Sequence, residues 1–269
     1  MPVDHYENFP VASWLLPRRL REPVAAIYAF ARSADDIADE GELDADSRLR
    51  KLAEYRSELA KIAAGLPTQH PIFRRLAAAI AKHDLPLSPF SDLLDAFSQD
   101  VVKTRYADFD ELLAYCRRSA DPVGRLLLRL FRAESAAQLA WSDAICSSLQ
   151  LINHWQDVAI DAARGRIYLP QEDLQRYAVG EAQILAGKLD DRWRQLLRFQ
   201  VERARAMMHA GAPLGRTLPG RIGLELRLIV AGGLSILAKI EAADYDVFRS
   251  RPTLKPLDWP LLLARAAVS

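Results

Sequence analysis

The chain is short of the residues that build sheets. It has 12 Val, 14 Ile and only 4 Thr, against 42 Ala and 40 Leu in 269 residues. Ala and Leu lose little in a helix, whereas β-branched side chains lose χ1 freedom there. That imbalance argues against a β protein and for an all-α one. Cysteine is scarcer still: Cys116 and Cys146 stand alone, outside any C-x-x-C spacing. This excludes a disulfide framework and the usual zinc and iron–sulfur patterns, and leaves two apolar thiols. No charge of one sign prevails, since 36 Lys and Arg meet 35 Asp and Glu for a net charge of +1. Nothing in that balance calls for nucleic acid or an anionic surface as a general partner. No long apolar run exists. The most apolar stretch, Leu226 to Ile240, contains Arg227 and is too short for the ~20 apolar residues of a membrane span. Residues 1–20 include Asp4 and Glu7 and lack the apolar stretch of a signal peptide. A soluble, cytoplasmic protein is expected.

What is present reads as many helices joined by short loops. Breaks fall at Gly41 to Asp46, Gly65 to Pro71, Leu85 to Pro89, Gly165 to Pro170, Gly211 to Gly220 and Arg251 to Pro260. Helical periodicity predicts a first helix from Arg18 or Pro23 to Glu40, with Pro23 suited to a first turn. It predicts one long or kinked helix from Ser135 to Ala163, and a last long helix from Ile222 to Arg249. With no repeat and no linker, a single α domain over 1–269 is expected.

Two acidic clusters stand out. In Arg32-Ser-Ala-Asp35-Asp36-Ile-Ala-Asp39-Glu40, helical spacing puts Tyr28, Arg32, Asp35/Asp36 and Asp39 on one face. Carboxylates so close repel one another unless a cation sits among them, although a solvated acidic helix end reads the same way. In Asn153-His-Trp-Gln156-Asp157-Val-Ala-Ile-Asp161, the oxygen-bearing residues recur at i, i+4 and i+8 within an apolar helix. Polar oxygens inside a core need a partner, which a core hydrogen-bond network would also supply. Together the stripes suggest oxygen ligands for Mg²⁺, which is usually held by a few carboxylates plus phosphate and water. Opposed across a bundle, they would clamp a diphosphate beside an apolar interior.

At these residues the sequence resembles the squalene/phytoene synthase family of head-to-head prenyl transferases. Tyr28 to Glu40 matches its first aspartate-rich motif and Asn153-x-x-x-Asp157-x-x-x-Asp161 its second. The run Arg164-Gly-Arg-Ile-Tyr-Leu-Pro170 is a further hallmark, and Asn8 to Pro17 looks like the segment leading into the family's first helix. The resemblance implies an isoprenoid-synthase helical bundle with a central cavity and more than one Mg²⁺. It implies metal ligation by Asp35, Asp36, Asp39, Asn153, Asp157 and Asp161, with Asp35, Asp39, Asp157 and Asp161 also catalytic. Tyr28 and Tyr115 would line the cavity near the ionising carbon. Arg32, Asn8, Gln156, Arg164, Gly124 and Tyr245 would contact substrate, and the stretch Tyr115 to Gly124 would contain a helix break that widens the pocket.

One position departs from the pattern. The family commonly has Arg directly before the aspartate at 157, where this chain has Gln156. In this it looks most like members that convert presqualene diphosphate and water to hydroxysqualene in hopanoid synthesis. That implies presqualene diphosphate as substrate, no NADPH and the other enzymes of that pathway as partners. The balanced charge gives no nucleic acid partner. The terminal Trp259-Pro-Leu-Leu-Leu-Ala-Arg265 segment is too short to span a bilayer and could pack on the core or make a peripheral contact with a membrane that supplies the lipid product. Two alternatives stay open: joining two prenyl diphosphates to presqualene diphosphate, squalene or phytoene, and a non-catalytic binding or assembly role. Three further readings are unresolved from sequence. His154 could act in water capture or be a surface or core histidine. Lys103, Arg105 and Tyr106 could close over diphosphate or form a solvated turn. Phe9, Trp14, Phe30, Phe131 and Trp141 could offer π-faces or plain core.

Overall fold

A computed structural model describes residues 16–268, and its regular elements are all helical. Fourteen α-helices run in chain order: α1 (Arg18–Asp39), α2 (Ala45–Ala63), α3 (Pro71–His83), α4 (Ser88–Val102), α5 (Phe109–Ser119), α6 (Asp121–Phe131), α7 (Ala136–Gln156), α8 (Val158–Ala163), α9 (Gln171–Arg176), α10 (Glu181–Leu185), α11 (Asp191–Gly211), α12 (Leu214–Thr217), α13 (Gly220–Ala242) and α14 (Trp259–Val268). Among the described residues the only bridge of β type is a parallel one between Arg105 and Ile167. Local chemistry sets several of the starts. Asp44 caps α2 by accepting from the Ser47 amide at 2.7 Å, and Asp190 caps α11 by accepting from the Trp193 amide at 3.0 Å. Pro71, Pro89 and Pro122 occupy first-turn positions where a missing N–H costs nothing.

The chain falls into two compact units. One takes the described residues up to Lys103 together with Arg117–Leu139; the other takes Thr104–Cys116 and the chain from Ala140 onward. In the first unit α1 packs on α3 and α4, and α2 on α4. Its core centres on Phe30, which meets Phe73 and Phe90 edge-on with ring centroids 5.7 and 5.4 Å apart. All three rings are fully buried, and edge-on pairs add to the stabilisation from burial. In the second unit α11, α12 and α14 pack on α13. A Cβ at Gly211 would lie 2.5 Å from the Ile145 side chain and from the Trp141 carbonyl. Glycine there lets α11 approach α7 closely, and the Ser148 hydroxyl donates to the Ala204 carbonyl across the same contact at 2.7 Å.

Of the two starts expected for the first helix, Arg18 is the one found, so Pro23 lies inside α1 and not in its first turn. The long or kinked helix expected from Ser135 to Ala163 is kinked: it is two helices that bend at Asp157, whose φ and ψ are −102° and 12°. Two expectations need correcting. The last long helix stops at Ala242, and Asp244 and Tyr245 follow with φ of +53° and +61°. Tyr245 is therefore in the turn after the helix. A short helix, α12, occupies what reads as a loop between Gly211 and Gly220.

Candidate functional site

The first acidic stripe occupies the last two turns of α1. There the helix dipole already carries partial negative charge, so carboxylates are unfavourable unless cations join them. Arg32 is one such cation: its guanidinium lies 3.2 Å from Asp35, 2.6 Å from Asp36 and 2.8 Å from Glu40. Burial alone would depress the Arg32 guanidinium, but these carboxylates hold it above its ordinary value. Arg48 of α2 is the second. It donates to the carbonyls of Ile37, Gly41 and Leu43 at 2.9, 2.8 and 2.9 Å, and so caps the exposed carbonyl end of the helix. Asp35, Asp36 and Asp39 stay half-exposed on this end, and Tyr28 lies one turn before Arg32, also half-exposed.

The second stripe lies at the α7–α8 bend. Backbone bonds continue through it, from the Asp157 amide to Asn153 and from the Asp161 amide to Asp157. Asn153 is exposed and Asp157 and Asp161 are half-buried, so the stripe looks outward from an otherwise buried helix. Arg251, in the segment after α13, grips Asp157 with two donors, Nη2 at 3.0 Å and Nε closer still. Gln156 is 1% exposed, and its amide donates to the Pro252 carbonyl at 2.5 Å. The Arg251–Pro252 dipeptide thus holds two consecutive motif residues. The sequence offered no sign of this, because Arg251 lies 94 residues from Asp157 and in a loop.

Behind the stripe, the hallmark run Arg164 to Pro170 folds back over α7. Gly165 makes the turn at φ +79°, which a Cβ would strain. Arg105 fixes the turn. It donates to the Gly165 carbonyl at 2.6 Å and pairs with Glu181 through two bonds of 2.7 and 2.8 Å. Arg105 is therefore a tie within the unit, not a solvated basic turn. Tyr168 is brought against His154 with ring centroids 3.7 Å apart and planes 14° from parallel. Tyr106 and Tyr115 complete a buried aromatic group around Tyr168, at 5.7 and 6.0 Å. His154 is thus a core histidine. Burial, aided by the Arg166 charge, pushes it down to about 3, so it is neutral at pH 7. A small recess opens between His154, Asp161, Arg166 and Tyr168.

The remaining candidates are scattered. Arg164 is exposed at the end of α8, and Gly124 is buried in α6. A helix break does occur in the stretch Tyr115 to Gly124, at Ala120 between α5 and α6. Tyr245 is buried; its carbonyl accepts from Trp193 Nε1 at 2.9 Å and its hydroxyl from Arg198 at 3.3 Å. Phe30 is core, while Asn8, Phe9 and Trp14 lie outside the described residues.

Each stripe offers the hard oxygen donors that a divalent cation takes. Among the described residues no three His, Cys, Asp or Glu side chains form a metal cage. Magnesium does not need one, since one or two carboxylates with phosphate oxygens and water suffice. The residues present therefore fit that ion. An all-α scaffold bearing two such stripes is a helical protein with faces suited to metal-bound anions.

Comparison with known proteins narrows this further. The model of the squalene/phytoene synthase family matches residues 3–258. A hydroxysqualene synthase of Rhodopseudomonas palustris is 36% identical over 255 residues, covering 94% of this chain and 85% of that protein. A phytoene synthase of Arthrospira platensis is 34% identical over 283 residues, covering 99% and 91%. Among solved structures, squalene synthase HpnC from Alicyclobacillus acidocaldarius superposes with a TM-score of 0.84 at 40% identity, covering 91% of each chain. The chain belongs to the squalene/phytoene synthase family, and so is an enzyme of the prenyltransferase type.

Proposed function

We propose that this enzyme converts presqualene diphosphate and water to hydroxysqualene and diphosphate. The observation that carries the reading is Gln156: a neutral amide stands before Asp157 and is turned inward onto Pro252. The 36% identity to a hydroxysqualene synthase supports it. In the reaction the substrate's carbon–oxygen bond breaks and its electron pair leaves with diphosphate. The cyclopropylcarbinyl cation rearranges, a water oxygen bonds to carbon, and that water loses a proton. No reductant enters this balance.

Asp35, Asp36 and Asp39, with Asn153, Asp157 and Asp161, would hold magnesium. The bound ions would neutralise charge developing on the departing diphosphate. The chain's own contribution is positional. Arg32 and Arg48 keep three carboxylates together at a helix end that would otherwise repel them. Arg251 fixes the Asp157 carboxylate on the α7–α8 bend. Purified protein given presqualene diphosphate and Mg²⁺ should release hydroxysqualene. A second reading, head-to-head joining of two prenyl diphosphates, is favoured by the phytoene synthase match over 99% of the chain. Squalene or phytoene formed from farnesyl or geranylgeranyl diphosphate, with presqualene diphosphate left unhydrated, would establish that second reading and overturn the first.

A further inference from the structure

The turn after α8 is held from a distant part of the chain by one arginine. Arg105 donates from Nε and Nη2 to the two Glu181 carboxylate oxygens at 2.7 and 2.8 Å. From Nη1 it donates to the carbonyls of Gly165 and Thr104 at 2.6 and 2.8 Å. These bonds engage four of the five N–H donors of the guanidinium. Little is left with which to grip a phosphate, so the arrangement is that of a scaffold. Arg105 lies just before α5, 60 residues from Gly165 and 76 from Glu181. Its segment runs alongside the one after Gly165. The Ile167 amide donates to the Thr104 carbonyl at 3.0 Å, and the Gln171 amide to the Tyr106 carbonyl at 2.9 Å.

A half-exposed ion pair by itself contributes little to stability. What sets this one apart is the turn it holds. The amides of Arg164 and Arg166, on either side of Gly165, both donate to the Asp161 carbonyl, at 3.0 and 2.9 Å. Glu181 lies on α10, which packs on α8, the helix that carries Asp161. Arg105 therefore reaches Asp161 by two routes, through the turn and through α10, and both lie in one compact unit. The pairing holds the Glu181 carboxyl below its ordinary value, so both partners stay charged at neutral pH. We propose that Arg105 and Glu181 are positioning residues, which together set where the Asp161 carboxylate stands for a divalent cation. The proposal rests on the reading that the second stripe holds magnesium. Groups that fix a metal ligand from behind are worth about 10- to 100-fold in metal affinity, and a hold exerted through the backbone belongs at the lower end.

Mn²⁺ alone, titrated into the full chain and followed by the paramagnetic resonance signal of the free ion, tests it. Arg105→Ala should raise the dissociation constant roughly tenfold. Glu181→Gln keeps the shape, loses the charge and should raise it several-fold. The double variant should bind as weakly as Arg105→Ala and no worse, because the two residues act as one tie. A merely structural role would instead lower the number of sites, as unfolded chains drop out, and leave the affinity of the remaining sites unchanged. Glu181 is half-exposed, so Glu181→Gln decides the matter even where Arg105→Ala does not fold. Unchanged affinity in Glu181→Gln overturns the inference. Asp161→Asn separates the two levels of the argument, and should weaken binding at least as much as Arg105→Ala. If it alone weakens binding, the positioning role falls and the metal role of the stripe stands. If it too binds Mn²⁺ as tightly as the unaltered chain, both fall.

Discussion

The two acidic motifs solve one electrostatic problem in different ways. On α1 the neutralising cation is local: Arg32 lies three, four and eight residues from Asp35, Asp36 and Glu40 on the same helix. At the α7–α8 bend the cation is remote, with Arg251 reaching Asp157 from 94 residues away. The first arrangement forms wherever the helix forms. The second exists only once α13 and the segment after it are in place. The Arg32 carboxylates are also more exposed than Asp157, with side-chain exposures of 37, 40 and 58% against 23%. The local cluster should therefore be weak and salt-sensitive, and the remote pair stronger.

Removal of divalent metal has the largest expected effect. Chelation should reduce turnover to background and added Mg²⁺ should restore it, measured by diphosphate release. Retained turnover would deny both stripes a metal role. Next, Asp35→Asn and Asp157→Asn should each cut kcat by roughly 10³-fold, with the helical circular-dichroism signal unchanged. A large loss at one stripe only would show that the two are not equivalent.

Stability separates the stripes further. Arg251→Ala should cost about 2 kcal/mol in urea denaturation, because a half-buried Asp157 loses two charged hydrogen bonds. Arg32→Ala should cost less than about 1 kcal/mol, the usual worth of half-exposed pairs. Added salt should shrink the Arg32 effect and leave the Arg251 effect largely intact. Equal costs would erase the distinction between local and remote neutralisation.

The last effect is in acid. His154, behind the second stripe, is pushed down to about 3 by burial. The unfolded chain therefore binds a proton there that the folded chain refuses. Its contribution to stability is complete above about pH 6.5 and is lost as pH falls toward 3. A His154→Phe variant, compared with the parent by urea denaturation, should be less acid-sensitive in that window. Identical profiles would mean that His154 charges freely in the fold.

Much of this was legible from composition and spacing. The Ala and Leu excess foretold helices because propensity is a local property. The breaks at Gly65 to Pro71 and Leu85 to Pro89 bounded α3 where it is found. The Arg32 cluster could be read because i+3 and i+4 neighbours meet on any helix. Other features have no local cause. The stop of α13 at Ala242 takes a non-glycine turn through Asp244 and Tyr245, which the Trp193 and Arg198 bonds to Tyr245 and the Arg194 bond to Asp244 hold in place. The hold of Arg251 on Asp157 and the burial of Gln156 under Pro252 need partners more than 90 residues away, and His154 stacks on Tyr168 because the chain turns back at Gly165. Sequence alone determined which oxygens line one helix face, since that follows from 3.6 residues per turn. Tertiary packing decided which cations, carbonyls and rings those residues meet, since contacts across 50 to 100 residues are set by how whole helices bury their apolar sides.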